Sequence, residues 1–228
     1  PKLYNLTTLQ REANRYYGFT AQQTLELVQS LYEKKLLTYP RTDSQFLTED
    51  MEGTARQVIS IVCRKLPLFI GLSHEPDIQR VINNAKVTDH HAIIPTVQLD
   101  TQDIGELPQS EQKILSLIGM RLLAATGEKH LYDETRITVL CEGYEFKAKG
   151  KTVVQDGWKS IEMRFRASLD GKEKDEPEQV LPDLREGTVL ESVTSSVTEH
   201  FTSPPKAFTD VIFCERKEWI GIEERSSA

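Results

Sequence analysis

Apolar residues recur at three- and four-residue steps through the first half of the chain, and each recurrence predicts an amphipathic helix. Leu6, Leu9, Ala13 and Tyr16 or Tyr17 give the first, over 6–17, stopped by Gly18. Thr20 is a good N-cap, and Gln23 three residues later completes a capping-box pattern. The second helix then runs to about Lys35, with Leu25, Val28, Leu31 and Tyr32 along its buried side. A third covers 48–65, with Thr48 as N-cap, acids in its first turn, Ala55, Val58, Ile59 and Val62 inward, and Pro67 as its end. Asp77 to Asn84 is a shorter helical candidate, and 86–99 reads as an extended loop containing Pro95. Ser110 to about Thr126 is the last strong helix, stopped by Gly127.

After Tyr132 the period changes from 3.6 to 2. Thr135 to Cys141 alternates, Glu142-Gly143 turns, and Tyr144 to Lys149 alternates again, which predicts a hairpin. Further strands are expected at 151–155, 160–167, 178–181 and 188–199, with a charged, solvated loop over 168–176. The fold class is α+β, with a boundary near 127–134, helices before it and antiparallel strands after. Helix, Gly-containing turn, helix and exposed segment suit a helix-turn-helix-like (CAP-like) arrangement, with an ordinary helical hairpin as the alternative.

Composition changes this picture little. The chain has 228 residues, enough for one large or two modest domains with a proper core. A hydrophobic content of 38% and a mean hydropathy of −0.43 suit a soluble globular protein. No apolar run approaches the roughly 18–20 residues that span a membrane, and no signal peptide opens the chain. The start at Pro1, without methionine, suggests a fragment. Cys63, Cys141 and Cys214 are far apart and form no CxxC pair, which argues against a zinc ribbon or disulfide framework and fits a reducing cytoplasm. The net charge of −7 is uneven: residues 1–65 carry nine Lys/Arg against seven Asp/Glu, and residues 126–228 carry 15 against 21. The helical half is thus the better candidate for a nucleic-acid surface, although it holds no strongly basic stripe.

The densest chemistry lies in Leu36-Leu37-Thr38-Tyr39-Pro40-Arg41-Thr42-Asp43-Ser44. Pro40 fixes its own φ and turns Tyr39 away from helical geometry, so the phenol stands on a stiff corner just past a helix. A phenol with pKa near 10 is a poor nucleophile at neutral pH and needs a cation or a base. Arg41 supplies a guanidinium that can fork onto phosphate oxygens, which a lysine could not reproduce. Packing of a loop aromatic beside a surface ion pair is the plain alternative.

This run resembles the active-site segment of type IA DNA topoisomerases, closest to the topoisomerase III branch. Asn5-Leu6-Thr7-Thr8-Leu9-Gln10-Arg11-Glu12-Ala13 with Gly18-Phe19 resembles the family's segment upstream of its tyrosine. Thr88-Asp89-His90-His91-Ala92-Ile93-Ile94-Pro95-Thr96 resembles its downstream histidine segment. The likeness is convincing to about residue 160, weaker to Lys206 and lost beyond Phe208, where Val211 to Gly221 replaces an expected helix-opening run.

The resemblance implies a helical tyrosine domain over 1–127, part of a strand-rich hinge domain over 128–205, and a divergent tail over 206–228. It implies Tyr39, Arg41 and His90 as catalytic residues, and Gln29, Thr42, Asp43, Ser44 and His91 as DNA contacts. No metal site is expected here, because nothing matches the family's Asp-x-Asp-x-Glu cluster. Mg²⁺ would be bound by a metal-binding domain elsewhere in the polypeptide, and the fragment alone would be inactive. The implied partners are single-stranded DNA and the rest of the same polypeptide, in the cytoplasm at the nucleoid. A non-enzymatic helix-turn-helix DNA-binding module is the rival reading.

Overall fold

The computed structural model describes residues 1–169, 181–190, 194 and 196–204. They divide into two units: 1–129 with 156–169, and 130–155 with the described residues of 181–204.

The first unit is helical. α1 (Leu6–Tyr17) opens on a reciprocal cap, in which Thr8 donates its backbone N–H to the Asn5 side chain and the Thr8 hydroxyl accepts from the Asn5 N–H. It closes on Gly18, which takes the left-handed φ of +70° as expected of a helix stop. α2 (Ala21–Glu33) begins with the capping box that Thr20 and Gln23 predict. Two of its expected core positions differ: Leu25 is half-buried and Tyr32 is 37% exposed, while Thr24 takes an inward place. The third helix starts later than expected. A 3₁₀ turn occupies Glu49–Met51, α3 spans Glu52–Lys65, and Thr48 makes no side-chain cap. Short 3₁₀ turns at Ile78–Val81 and Asn84–Lys86 stand in place of a helix over 77–84. α4 (Gln109–Thr126) is the central helix, with twelve buried positions around most of its circumference. Gly119 lets it approach α3 closely: a Cβ there would lie 2.5 Å from the Leu66 Cδ1 atom.

Residues 160–167 are not a strand. Ile161-Glu162-Met163-Arg164-Phe165-Arg166 alternates by two, yet the segment forms α5 (Lys159–Ala167) in the first unit. Ile161 and Phe165, four apart, share one helical face, and Met163 is left half exposed. Phe165 meets Tyr16 edge to face at 5.3 Å, and packing of this kind decides between two periods that the sequence satisfies equally. Gly157 admits the chain into this unit at φ +52°, where any Cβ would lie 2.2 Å from the Lys129 carbonyl oxygen.

The second unit contains one antiparallel hairpin. β1 (Leu131–Cys141) pairs with β2 (Tyr144–Gln155) around the Glu142-Gly143 turn. The strand expected at 151–155 is the continuation of β2, in register from Lys151 opposite Glu134. Ile137, Val139, Phe146 and Ala148 fall on one face, and Arg136, Lys147 and Lys149 on the other. The strand expected at 188–199 is not formed by the described residues in that range. The one at 178–181 lies outside the described residues except for Leu181, which is not in a strand, and the tail over 206–228 lies wholly outside them.

Burial raises the phenols of Tyr4, Tyr16 and Tyr17 above the ordinary tyrosine value. The folded chain therefore keeps protons that the unfolded chain releases above about pH 10. Their contribution is complete below that pH and is lost as the pH rises through the folded values. Urea midpoints are expected to hold from about pH 8 to about pH 10 and to fall steeply by about pH 11. A flat alkaline profile would show that these phenols are not buried in solution.

Candidate active site

The three runs picked out by their chemistry are far apart in sequence and are stitched together in space. Thr38 donates its backbone N–H to the Ile94 carbonyl at 3.0 Å, and its hydroxyl donates to the Ala92 carbonyl at 3.1 Å while accepting from the Ile94 N–H at 3.0 Å. Leu37 bridges Pro95, and the Thr96 N–H reaches the Leu36 carbonyl at 3.0 Å. The N-terminal run joins through a bridge between Tyr4 and Ile93, and through the Leu6 N–H on the Thr42 carbonyl at 3.1 Å. Asn5 adds a side-chain bond, donating its amide to the Asp43 carbonyl at 3.1 Å. Each of these connections is short-range in space and long-range in sequence, so it fixes both loops on one rigid surface.

On that surface Tyr39 is half-buried between two rings. His90 lies 4.3 Å from it between centroids at an interplanar angle of 44°, and Tyr32 lies 5.5 Å away edge-on at 79°. His90 and Arg41 are exposed. The phenol is neither sunk in the core nor free to swing. It is held at the surface with an imidazole beside it and a guanidinium two residues on.

The remaining expected contacts divide. Asp43 keeps an exposed side chain. Thr42 and Ser44 do not reach outward: they are 7% and 4% exposed, and their hydroxyls are used internally. Thr42 donates to the His90 carbonyl at 2.9 Å, and Ser44 donates to the Lys86 carbonyl at 2.8 Å. These hydroxyls hold the histidine segment against the tyrosine loop, so their role is to shape the site. His91 is half-buried with Nδ1 2.9 Å from the Ala92 carbonyl, a bond to its own backbone neighbour. Gln29 is half-buried on α2 and donates to Glu33 at 3.1 Å, one turn before Tyr32.

Sequence reasoning missed Tyr32, Thr38 and Glu111. Tyr32 read as core because it fits the helical stripe, yet its ring is the second wall of the tyrosine. Glu111 is 4% exposed at the start of α4 and accepts from the Ser30 hydroxyl at 2.8 Å and from the Lys34 ammonium at 2.6 Å. It thereby pins the end of α2, from which the chain turns through Lys35, at φ +62°, toward Tyr39. An acid in a helix's first turn was the available signal, but its partner lies 77 residues away.

Among the described residues no cluster of three or more His, Cys, Asp or Glu could hold a metal ion. No helix among them is long and apolar enough to cross a membrane.

A sequence model of the family described as DNA topoisomerase matches residues 1–216. The chain is 38% identical over 215 residues to DNA topoisomerase 3 of Bacillus subtilis strain 168, covering 92% of this chain and 29% of that protein. It is 34% identical over 224 residues to DNA topoisomerase 3 of Bacillus thuringiensis strain Al Hakam, covering 96% of this chain and 30% of the relative. The solved structure of full-length topoisomerase I from Thermotoga maritima superposes with a TM-score of 0.69 at 25% identity, covering 98% of this chain and 35% of that one. The chain belongs to the type IA DNA topoisomerase family, and it resembles the topoisomerase III members. It spans less than a third of the length of those curated relatives.

Proposed function

We propose that this chain is the tyrosine-bearing part of a topoisomerase that cuts and rejoins a single DNA strand through a 5′-phosphotyrosine on Tyr39. The Tyr39 oxygen attacks a phosphodiester phosphorus, the bond from phosphorus to the 3′ oxygen breaks, and the strand end is kept as an aryl phosphate ester. The proton lost by the phenol is matched by one gained by the departing 3′ hydroxyl, and resealing reverses both steps. His90, in ring contact with Tyr39, is placed to hydrogen-bond the phosphate or to relay that proton. Arg41 forks onto the non-bridging oxygens and offsets the charge that develops on them. Gln29, Asp43 and His91 are secondary strand contacts in this reading, while Thr42 and Ser44 shape the loop. Storage of the cut end in an ester, while a second strand passes, makes the reaction an isomerisation with no net consumption of bonds.

The observation that carries this reading is the Tyr39–His90 contact, with exposed Arg41 two residues on, on loops fastened by Thr38 and Thr42. Mg²⁺ use is proposed for a metal-binding domain of the full-length enzyme, and no step above passes through it. The hairpin of 130–155 fits a hinge that keeps both strand ends held, and the working location is the cytoplasm at the nucleoid.

The test is label transfer. The chain is grafted into the frame of a topoisomerase III relative and incubated with a 3′-labelled single strand and Mg²⁺, then denatured and digested with trypsin. Label is expected on the 36–41 peptide, and the ungrafted chain should give little adduct. Label on any other peptide, or none from the graft, would refute the proposal.

A further inference from the structure

The strand end that stays on Tyr39 needs more than one ester to hold its direction, and a second cationic feature lies on the same paired segments. Lys2 and Lys86 converge on the ring of Phe46, with their ammonium nitrogens 5.8 Å and 5.0 Å from its centroid. Lys2 lies three residues before the N-terminal run, Phe46 two residues after the tyrosine run, and Lys86 at the end of the Asn84–Lys86 turn, two residues before the histidine run. Both lysines are exposed and the ring is half-buried. Neither lysine forms an ion pair among the described residues.

The placement is fixed by the backbone rather than by the lysines themselves. The Ser44 hydroxyl holds the Lys86 carbonyl at 2.8 Å, and the Ala92 N–H holds the Phe46 carbonyl at 2.9 Å. The segment 86–92 thus lies against 42–46, through Thr42 on His90, Ser44 on Lys86 and Phe46 on Ala92, and the lysine–phenylalanine cluster shares these segments with the Tyr39–His90 contact. Lys86 is four chain steps from His90, an extended reach of at most roughly 14 Å. A strand covers that length in a few nucleotides. The two ammoniums put positive charge around one ring, whose π face attracts each. A chain of phosphates supplies anions at regular spacing, which such a pair of cations binds. Asp43 and Asp89 on the same segments are exposed and carry the opposite sign, so attraction for a strand rests on Arg41 and the lysine pair.

We propose that Lys2, Phe46 and Lys86 form a phosphate-binding subsite for the nucleotides that follow the one joined to Tyr39. The ligand is a single-stranded phosphodiester chain, DNA or RNA. The subsite rests on the reading of Tyr39 given above and adds to it a track along which the attached strand is held.

The 228-residue chain is titrated with fluorescein-labelled oligodeoxythymidylate and, separately, oligouridylate, and anisotropy is read across a salt series. Each phosphate contact on a single strand contributes about 0.7 to the slope of log affinity against log salt. Lys2→Gln and Lys86→Gln are each expected to reduce the slope by about 0.7, and the double variant by about 1.4. Lys113→Gln, on α4 beside Tyr17, should leave the slope unchanged, and thermal melts confirm that each variant is folded. A response in one arm only supports the subsite and assigns its strand type. An unchanged slope in a folded double variant, with wild-type binding intact, overturns the subsite and leaves the Tyr39 reading standing. A wild-type chain that binds neither strand at low salt overturns the subsite together with the nucleic-acid reading.

Discussion

Tyr39→Phe is expected to abolish covalent adduct in the grafted enzyme while leaving strand binding within about twofold. The substitution removes one oxygen, the atom that forms the bond to phosphorus. A lost nucleophile typically costs on the order of 10⁴-fold or more in rate. The phenyl ring still fits between Tyr32 and His90, so the site should keep its shape. Loss of one partly exposed hydroxyl costs binding only about 0.5 kcal/mol or less. His90→Ala should fall between these limits, with a loss of about 10²–10⁴-fold as befits a proton relay or phosphate donor. Both effects are read as labelled protein on a denaturing gel and as anisotropy with the same strand. Adduct persisting in Tyr39→Phe, on Tyr32 for instance, would remove Tyr39 from the chemistry.

Arg121→Met should produce the largest loss of stability. Arg121 on α4 and Glu12 on α1 form a part-buried ion pair, and Tyr4 donates its hydroxyl to the same carboxylate. The guanidinium also lies 4.8 Å over the Tyr4 ring. Burial, helped by the Glu12 carboxylate and opposed by the Arg121 cation, keeps the Tyr4 phenol protonated well above its ordinary range. Removing Arg121 leaves the Glu12 carboxylate in a poorly solvated place with one neutral donor, a loss of about 3 kcal/mol. For a chain of this size that is roughly 6–12 °C in Tm. Glu12→Leu combined with Arg121→Met should recover much of it, because no charge is then stranded. Thermal denaturation of the single and double variants tests this, and a single-variant loss under about 1 kcal/mol would sink it. The consequence reaches the site, since Tyr4 bridges Ile93 three residues beyond His90.

Much of the helical unit was legible locally. Gly18, Thr20 with Gln23, and Gly127 act within one turn of chain, through bonds whose partners are three or four residues away. The Glu142-Gly143 hairpin was legible for the same reason. Residues 160–167 misled because their apolar positions satisfy a strand at every second residue and a helix at every fourth. Thr42 and Ser44 misled because a hydroxyl in a polar loop gives no sign of whether it faces a ligand or a carbonyl. Tyr32 misled because the edge of a helical stripe is also the place where a ring can leave the core.

By itself, then, the sequence determined where helices start and stop, where the period changes, and which reactive groups occur in which order. Those features depend on contacts within a few residues. Tertiary structure alone decided that Tyr39 meets His90, that Thr38 and Thr42 lock the two loops, that Glu111 anchors the helix before the tyrosine, and that 159–167 coils. The Thr38, Thr42 and Glu111 bonds join residues 48 to 81 positions apart, and a hydrogen bond across that distance leaves no periodic or compositional trace at either end.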